Sequence, residues 1–308
     1  MNRKIKRIKN IKRVTSANIV ERRAKSKSIV SSNRLNSGGI ILTKNVSSEM
    51  INSKLVKHKG KYSKLCLTVT HIFFNDLIDE ILNNLAKIPY SVDHYFSLVK
   101  DHSDNINNRN KILKRFPSAT ILSVDNAGKD IGGKLKILKM IKEDSSKTYK
   151  YMLFMHDKKH NNTSLGVAWR KELFSSLCSN RSFHNGFYNM ETNKNINMIS
   201  SYKWTLKGLT KGVHVGGKGD EVAKNKLRST CNSLALNLPE SFGFIGGTMF
   251  WCDFEKFGNF WNIKRINTAI ENVNKEKGNM RELSYTHSLE RIFGMAFSSN
   301  TPNNILGI

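Results

Sequence analysis

The stretch Tyr149 to His160 holds the densest set of groups able to do chemistry in this chain. An apolar run, Tyr151 to Met155, passes straight into His156, Asp157, Lys158, Lys159 and His160. Lysines at a strand end can neutralise a phosphate or a departing diphosphate, and an imidazole or carboxylate can orient one. Asp157 is also a candidate ligand for a divalent ion, although a hard cation ordinarily takes more than one carboxylate or phosphate oxygen. A second group is Asn126-Ala-Gly-Lys-Asp-Ile-Gly-Gly133, which follows an apolar run and opens a predicted helix. Backbone amides at such a turn can cradle an anion. The stretch lacks the Gly-Lys-Ser/Thr of a P-loop and the glycine spacing of a dinucleotide fingerprint. In the third group, His287, Glu290 and Arg291 share one helix face by their i, i+3, i+4 spacing, opposite Leu289, Ile292, Phe293 and Ala296. A carboxylate beside an imidazole and a guanidinium can move a proton. Each group also has a plain alternative: a solvated strand exit, a glycine turn without ligand, or the wet face of an amphipathic helix.

These residues need a scaffold, and the hydrophobic pattern supplies one. Leu65 to Phe74, His94 to Val99, Ala119 to Val124 and Tyr151 to Met155 read as strands. Between them lie a helix from an Asn75 or Asp76 cap to Pro89, a short helix over Asn107 to Phe116, and a third over Gly132 to Ile141. That alternation predicts a doubly wound α/β sheet. Ligands in such sheets sit beyond the carboxyl ends of the strands. The polar ends after Val124 and after Met155 are therefore expected side by side at one sheet edge. Beyond the polar loop Asn161 to Gly166, a helix should carry Trp169, Leu173, Phe174 and Leu177 on one face. Asn195 to Ser201 suits a further strand, and residues 207–232, rich in glycine and lysine, suit a mobile loop over a site. Ser241 to Trp251 mixes aromatics with glycines, which suggests close approach of a ligand or another backbone. A last helix is expected over Thr286 to Phe297.

Charge divides the chain. Of 308 residues with net +27, the first 64 carry 18 Lys/Arg and two acids, a net of +16. A segment of this kind attracts nucleic acid, anionic lipid head groups or acidic glycans, or else is a solvated disordered tail. Ile5, Ile8, Ile11 and Val14 within it would suit a basic amphipathic helix. Residues 1–61 are accordingly assigned to a basic tail and linker, and 62–308 to one folded domain. Cys66, Cys178, Cys231 and Cys252 are scattered, which argues against a zinc site and for reduced, buried thiols. No apolar run approaches the ~20 residues that span a bilayer, and no secretory signal is visible. The expectation is a cytoplasmic protein, peripheral to a membrane if the tail binds one.

Six short pieces carry a resemblance. They are His71-Ile-Phe-Phe, Asn126-Ala-Gly-Lys-Asp-Ile, Tyr151 to Lys159, Trp169-Arg170, Phe244 to Trp251, and His287-Ser-Leu-Glu-Arg-Ile-Phe. In this order, the stretch from about His71 to Phe297 resembles the rhamnan synthesis protein F family, glycosyltransferase-like proteins of cell-surface polysaccharide assembly. The resemblance implies a GT-A-like fold, a Rossmann-type nucleotide-sugar half fused to an acceptor half. It implies transfer of a sugar, a deoxyhexose such as rhamnose, from a nucleoside diphosphate to a glycan. On that reading Asn126, Gly128 and Asp130 hold the nucleotide, and His156, Asp157 and Lys158 the diphosphate. Trp169, Arg170, Gly247, Met249 and Trp251 form the acceptor side, and Glu290, with His287 and Arg291, is the catalytic base. Asp157 stands where the family has Thr, and Lys129 where it has Arg. No Asp-x-Asp motif follows a strand, so a divalent Mg or Mn ion has no motif behind it. Two other readings stay open: a polyanion-binding protein acting through the tail, and a non-catalytic glycan-binding relative.

Overall fold

The computed structural model describes residues 46–100, 102–159, 163–208, 220–276, 284–298 and 304–308. The chain parts into two units between Arg34 and Leu35, and all described residues belong to the second. The expectations for the basic segment Met1 to Lys27, for the Ser31 to Gly39 linker and for His160 to Asn162 lie outside the described residues.

In chain order the strands are β1 (Lys64–Ile72), β2 (Val92–Val99), β3 (Thr120–Val124), β4 (Tyr149–His156), β5 (Met198–Ser200), β6 (Thr205–Lys207), β7 (Gly243–Ile245), β8 (Phe250–Asp253) and β9 (Ile305–Gly307). The helices are α1 (Ser48–Leu55), α2 (Ile78–Leu85), α3 (Asn105–Arg115), α4 (Lys129–Glu143), α5 (Thr163–Cys178), α6 (Asn180–Thr192), α7 (Asp220–Ser233), α8 (Phe254–Phe260), α9 (Ile263–Asn274) and α10 (Tyr285–Ser298). The main sheet runs β3-β2-β1-β4-β8-β5-β9. The first four strands pair in parallel, β8 pairs antiparallel with β4 and β5, and β9 returns parallel to β5. A separate antiparallel ribbon joins β6 and β7.

The apolar run of β4 is buried because it has a strand on each side and helices above and below. Side chains alternate between faces along a strand. Met152 and Phe154 therefore join one core, with Leu135, Phe257, Ile266 and Phe293, while Tyr151, Leu153 and Met155 join the other, with Ile51, Ile81, Phe174 and Phe187. This is the α/β, mostly parallel, doubly wound arrangement expected from the sequence. The four cysteines are free and buried, and burial pushes the Cys178 thiol up to about 12. Among the described residues, no helix is long and apolar enough to cross a membrane.

Three expectations change. β3 and β4 are not neighbours: β2 and β1 lie between them, and α4 instead carries the Asn126–Gly133 turn back across the sheet. Gly133 permits that path, since a Cβ there would lie 2.4 Å from His71 Nδ1 and 2.5 Å from Ser97 Oγ, at the carboxyl ends of β1 and β2. Residues 220–233 form α7 rather than a loop, with Leu227 and Cys231 in the core; residues 209–219 lie outside the described set. Order also begins before Tyr62. The Ser47 side chain caps α1, Ile51 and Leu55 are buried, and His58 Nε2 lies 2.9 Å from Glu191 Oε1.

Candidate functional site

The carboxyl ends of β1 and β4 stand in register, His71 beside His156, with Ser97 of β2 on the other side of His71. α4 starts above them at Gly128, whose φ of 68° lies in the left-handed region and whose space for a Cβ is filled by Val273. Asp130 in its first turn and Lys134 one turn later point to the same place. The Lys134 ammonium is fully buried and donates to Asp130 Oδ2 (2.9 Å), His156 Nδ1 (3.0 Å), the Thr248 carbonyl (2.9 Å) and Thr248 Oγ1 (3.1 Å). The Thr248 hydroxyl in turn donates to Asp130 Oδ2 at 2.5 Å. An ammonium has three protons, so Thr248 shares one between its two oxygens and every donor is used. Burial alone would raise the Asp130 carboxyl; the Lys134 ammonium and the Thr248 hydroxyl outweigh it and hold it well below the usual range. Burial drives His156 well below 6.5, so its ring is neutral. With Nδ1 accepting from Lys134, the ring proton sits on Nε2.

The residues after β4 divide in role. Asp157 turns inward: its Oδ2 accepts from the amides of Phe73 (2.6 Å) and Phe74, closing the turn that leads to α2. Burial pushes this carboxyl up to about 7. Lys158 is half-buried, with Nζ 3.9 Å from the centroid of Trp169, which stacks at 3.9 Å on Trp204. Burial lowers the Lys158 ammonium, against the pull of Glu290 and Asp130. Lys159 pairs with Asp76 at 2.6 Å on the surface.

Opposite stands α10, buried along most of its length but half-buried at His287, Glu290 and Arg291. Its expected polar face is therefore partly buried rather than fully solvated. Glu290 Oε1 accepts from the Gly247 amide at 2.6 Å, and Oε2 lies 3.5 Å from Arg291 Nη1. Arg291 also donates to the His287 carbonyl at 2.6 Å, and His287 Nδ1 lies 2.8 Å from Ser284 Oγ. Gly247 (φ 93°) and Thr248 (φ 48°) form the turn between β7 and β8. Together with Gly128 and Lys129 (φ 52°), they make four of the six positive-φ residues among those described. Unfavourable backbone conformations gathered at one place mark sites where geometry is over-determined by function.

The structure thus joins Gly128, Asp130, His156, Lys158, Trp169, Gly247, Glu290, His287 and Arg291 about one crevice, with Asn126 exposed at the turn leading in. Three of the acceptor-side candidates are buried. Met249 and Trp251 are core residues, and the Trp251 indole donates to the Leu177 carbonyl at 2.9 Å. Arg170 is buried, donating to Glu80 Oε2 (2.9 Å) and the Lys158 carbonyl (2.8 Å), where it props the β4 exit. Asp157 likewise braces the chain through the two amides on its Oδ2. Sequence reasoning missed Lys134, Thr248 and Trp204; the i, i+4 spacing of Asp130 and Lys134 was the available signal.

A divalent ion finds little to hold it here. Oδ2 of Asp130 is committed to Lys134 and Thr248, Oδ2 of Asp157 to two amides, and Oε1 of Glu290 to Gly247. Among the described residues, no three His, Cys, Asp or Glu side chains are grouped as metal ligands. Among the described residues, those present do not fit the ion.

No curated protein matches the chain. Among solved structures it is similar to the mannosyltransferase PcManGT from Pyrobaculum calidifontis in complex with GDP-Man and Mn2+, at 11% identity and TM-score 0.34, covering 74% of this chain and 62% of that one. It is also similar to glucosyl-3-phosphoglycerate synthase from Mycobacterium tuberculosis in complex with Mn2+, UDP and glucosyl-3-phosphoglycerate, at 12% identity and TM-score 0.32, covering 70% and 64%. The chain spans less than two thirds of the length of either structure. Likenesses this distant say nothing about its site. The family described as Rhamnan synthesis protein F matches residues 8–301, nearly the whole chain, and the protein belongs to that family.

Proposed function

We propose that the protein is a glycosyltransferase that moves a sugar from a nucleoside-diphosphate donor to a glycan acceptor. The observation that carries this reading is the Glu290 carboxylate fixed on the Gly247 amide, facing the Asp130–Lys134–His156 group across one crevice. The outer oxygen of Asp130 suits a ribose or sugar hydroxyl, and the first amides of α4 and the Lys158 ammonium suit the diphosphate. Trp169, held between Trp204 and the Lys158 ammonium beside Gly247, keeps that ammonium in place at the site. In an inverting transfer, Glu290 takes the proton of the acceptor hydroxyl as its oxygen bonds to the anomeric carbon. The bond from that carbon to the diphosphate breaks, and Lys158 meets the charge left on the leaving group. The family description supports a deoxyhexose such as rhamnose as the sugar transferred.

Glu290→Gln tests the assignment. It keeps an oxygen for the Gly247 amide and cannot take the proton. Turnover with a panel of nucleotide sugars should fall by roughly 10²–10⁴ with donor affinity little changed. Full turnover in the variant contradicts the role of Glu290.

A further inference from the structure

We propose that the ammonium of Lys134 is the resident counter-cation of this site, and that the protein binds its nucleoside diphosphate without a divalent metal. The inference rests on the donor-site reading above and adds how that site is neutralised. Lys134 has no exposed surface, and its ammonium is met by a carboxylate, an imidazole nitrogen and both oxygens of Thr248. Taking an ammonium out of water is costly and is offset only by a close counter-charge and complete hydrogen bonding. The ammonium also lies over the Phe154 ring, 5.4 Å from its centroid, a cation–π contact that adds to its fixing. It ties three separate elements together at the mouth of the crevice. It fixes Asp130 on α4, His156 at the end of β4 and Thr248 in the turn that carries Gly247.

The same contacts close the site to a second cation. Asp130 is the carboxylate nearest the α4 N-terminus, and the oxygen through which it could share a metal with a diphosphate already bears an ammonium and a hydroxyl. A divalent ion on its remaining oxygen would sit close to the fixed positive charge of Lys134 and be repelled by it. Lys158, held over Trp169 and close enough to feel Asp130 and Glu290, supplies a further cation with no metal. Positive charge is therefore built into the chain beside the place where a diphosphate would lie.

Isothermal titration of UDP, GDP and dTDP into the full-length protein, in excess EDTA and again in Mn2+ or Mg2+, tests this. At least one of the three should bind in EDTA with a dissociation constant within about twofold of that in metal. Binding seen only with metal, or tightened tenfold or more by it, overturns the proposal while leaving the donor site standing. No binding under any condition overturns the donor-site reading and the proposal with it. Lys134→Met, its fold checked by circular dichroism, should weaken binding in EDTA by at least tenfold; unchanged affinity in a folded variant removes Lys134 from the role. If that variant does not fold, the comparison of wild type with and without metal still decides.

Discussion

Removing the Asp130 carboxylate would strand the Lys134 ammonium, and the cost can be worked from its surroundings. In Asp130→Ala, Nζ keeps His156 Nδ1 and the two oxygens of Thr248 but loses its only contacting negative charge. Breaking one partner from a buried pair costs ~3–5 kcal/mol. The Asp130 side chain is 21% exposed, so water can enter the space it leaves and the lower end applies, about 3 kcal/mol. For a domain of this size each kcal/mol shifts the melting temperature by about 2–4 °C, so a drop of roughly 6–12 °C is expected. Proton linkage adds a signature. Burial lowers the Lys134 pKa, and without Asp130 it falls further. The unfolded chain then binds a proton that the folded chain has lost, so stability rises with pH. The deficit of the variant against wild type should therefore shrink between about pH 7 and about pH 10. Urea unfolding of both proteins across that range measures it. A deficit below ~1 kcal/mol, or one independent of pH, would refute the buried pair.

Truncation makes a second prediction. A chain starting at Asn45 should melt as full length does, whereas one starting at Tyr62 loses the buried Val46, Ile51 and Leu55 and strips Lys57 and His58 from Glu191. Two fully buried aliphatic side chains alone are worth about 3–6 kcal/mol, so denaturant midpoints should separate the two constructions clearly; equal midpoints contradict the packing of α1. Asp157 makes a third. Its folded pKa of about 7 lies above the unfolded value of about 3.9, so the folded state holds the proton longer and stability is lost as pH rises between these values, by up to about 4 kcal/mol. Asp157→Asn keeps an oxygen for the Phe73 and Phe74 amides and should flatten that slope and be the more stable protein at pH 8. Parallel pH profiles for the two proteins would show that the carboxyl is not strained by burial.

Much of the scaffold was legible because β1 to β4 are short runs rich in apolar residues, and in β1 and β4 these are buried on both faces. Their order was not. Asp130 and His156 meet because α4 crosses the sheet, not because β3 borders β4, and crossover paths leave no periodic trace. Glu290 and Arg291 were visible because helical spacing separates them from Leu289, Ile292 and Phe293. Lys134 was hidden for the opposite reason. It shares a helix with Lys136 and Lys139, both partly exposed, and nothing in its immediate sequence tells it apart until Thr248 closes over it from 114 residues away. The burial of Trp251 and Met249 was not legible because aromatics beside glycines suit a ligand wall as well as a strand. β8 is paired on both sides, which makes its side chains core. The buried Asp157 looked like a ligand because sequence shows a carboxylate at a strand end but not the two amides turned towards it.

Hydrogen-exchange mass spectrometry on the full-length protein, with and without saturating UDP, GDP or dTDP, tests the location of the site most directly. The account predicts slower exchange at residues 126–134 and 246–250, with a smaller effect around 287–291. Protection confined to the hollow lined by Leu55, His58, Tyr62 and Ser91, at the opposite end of the sheet, or protection nowhere, would contradict it.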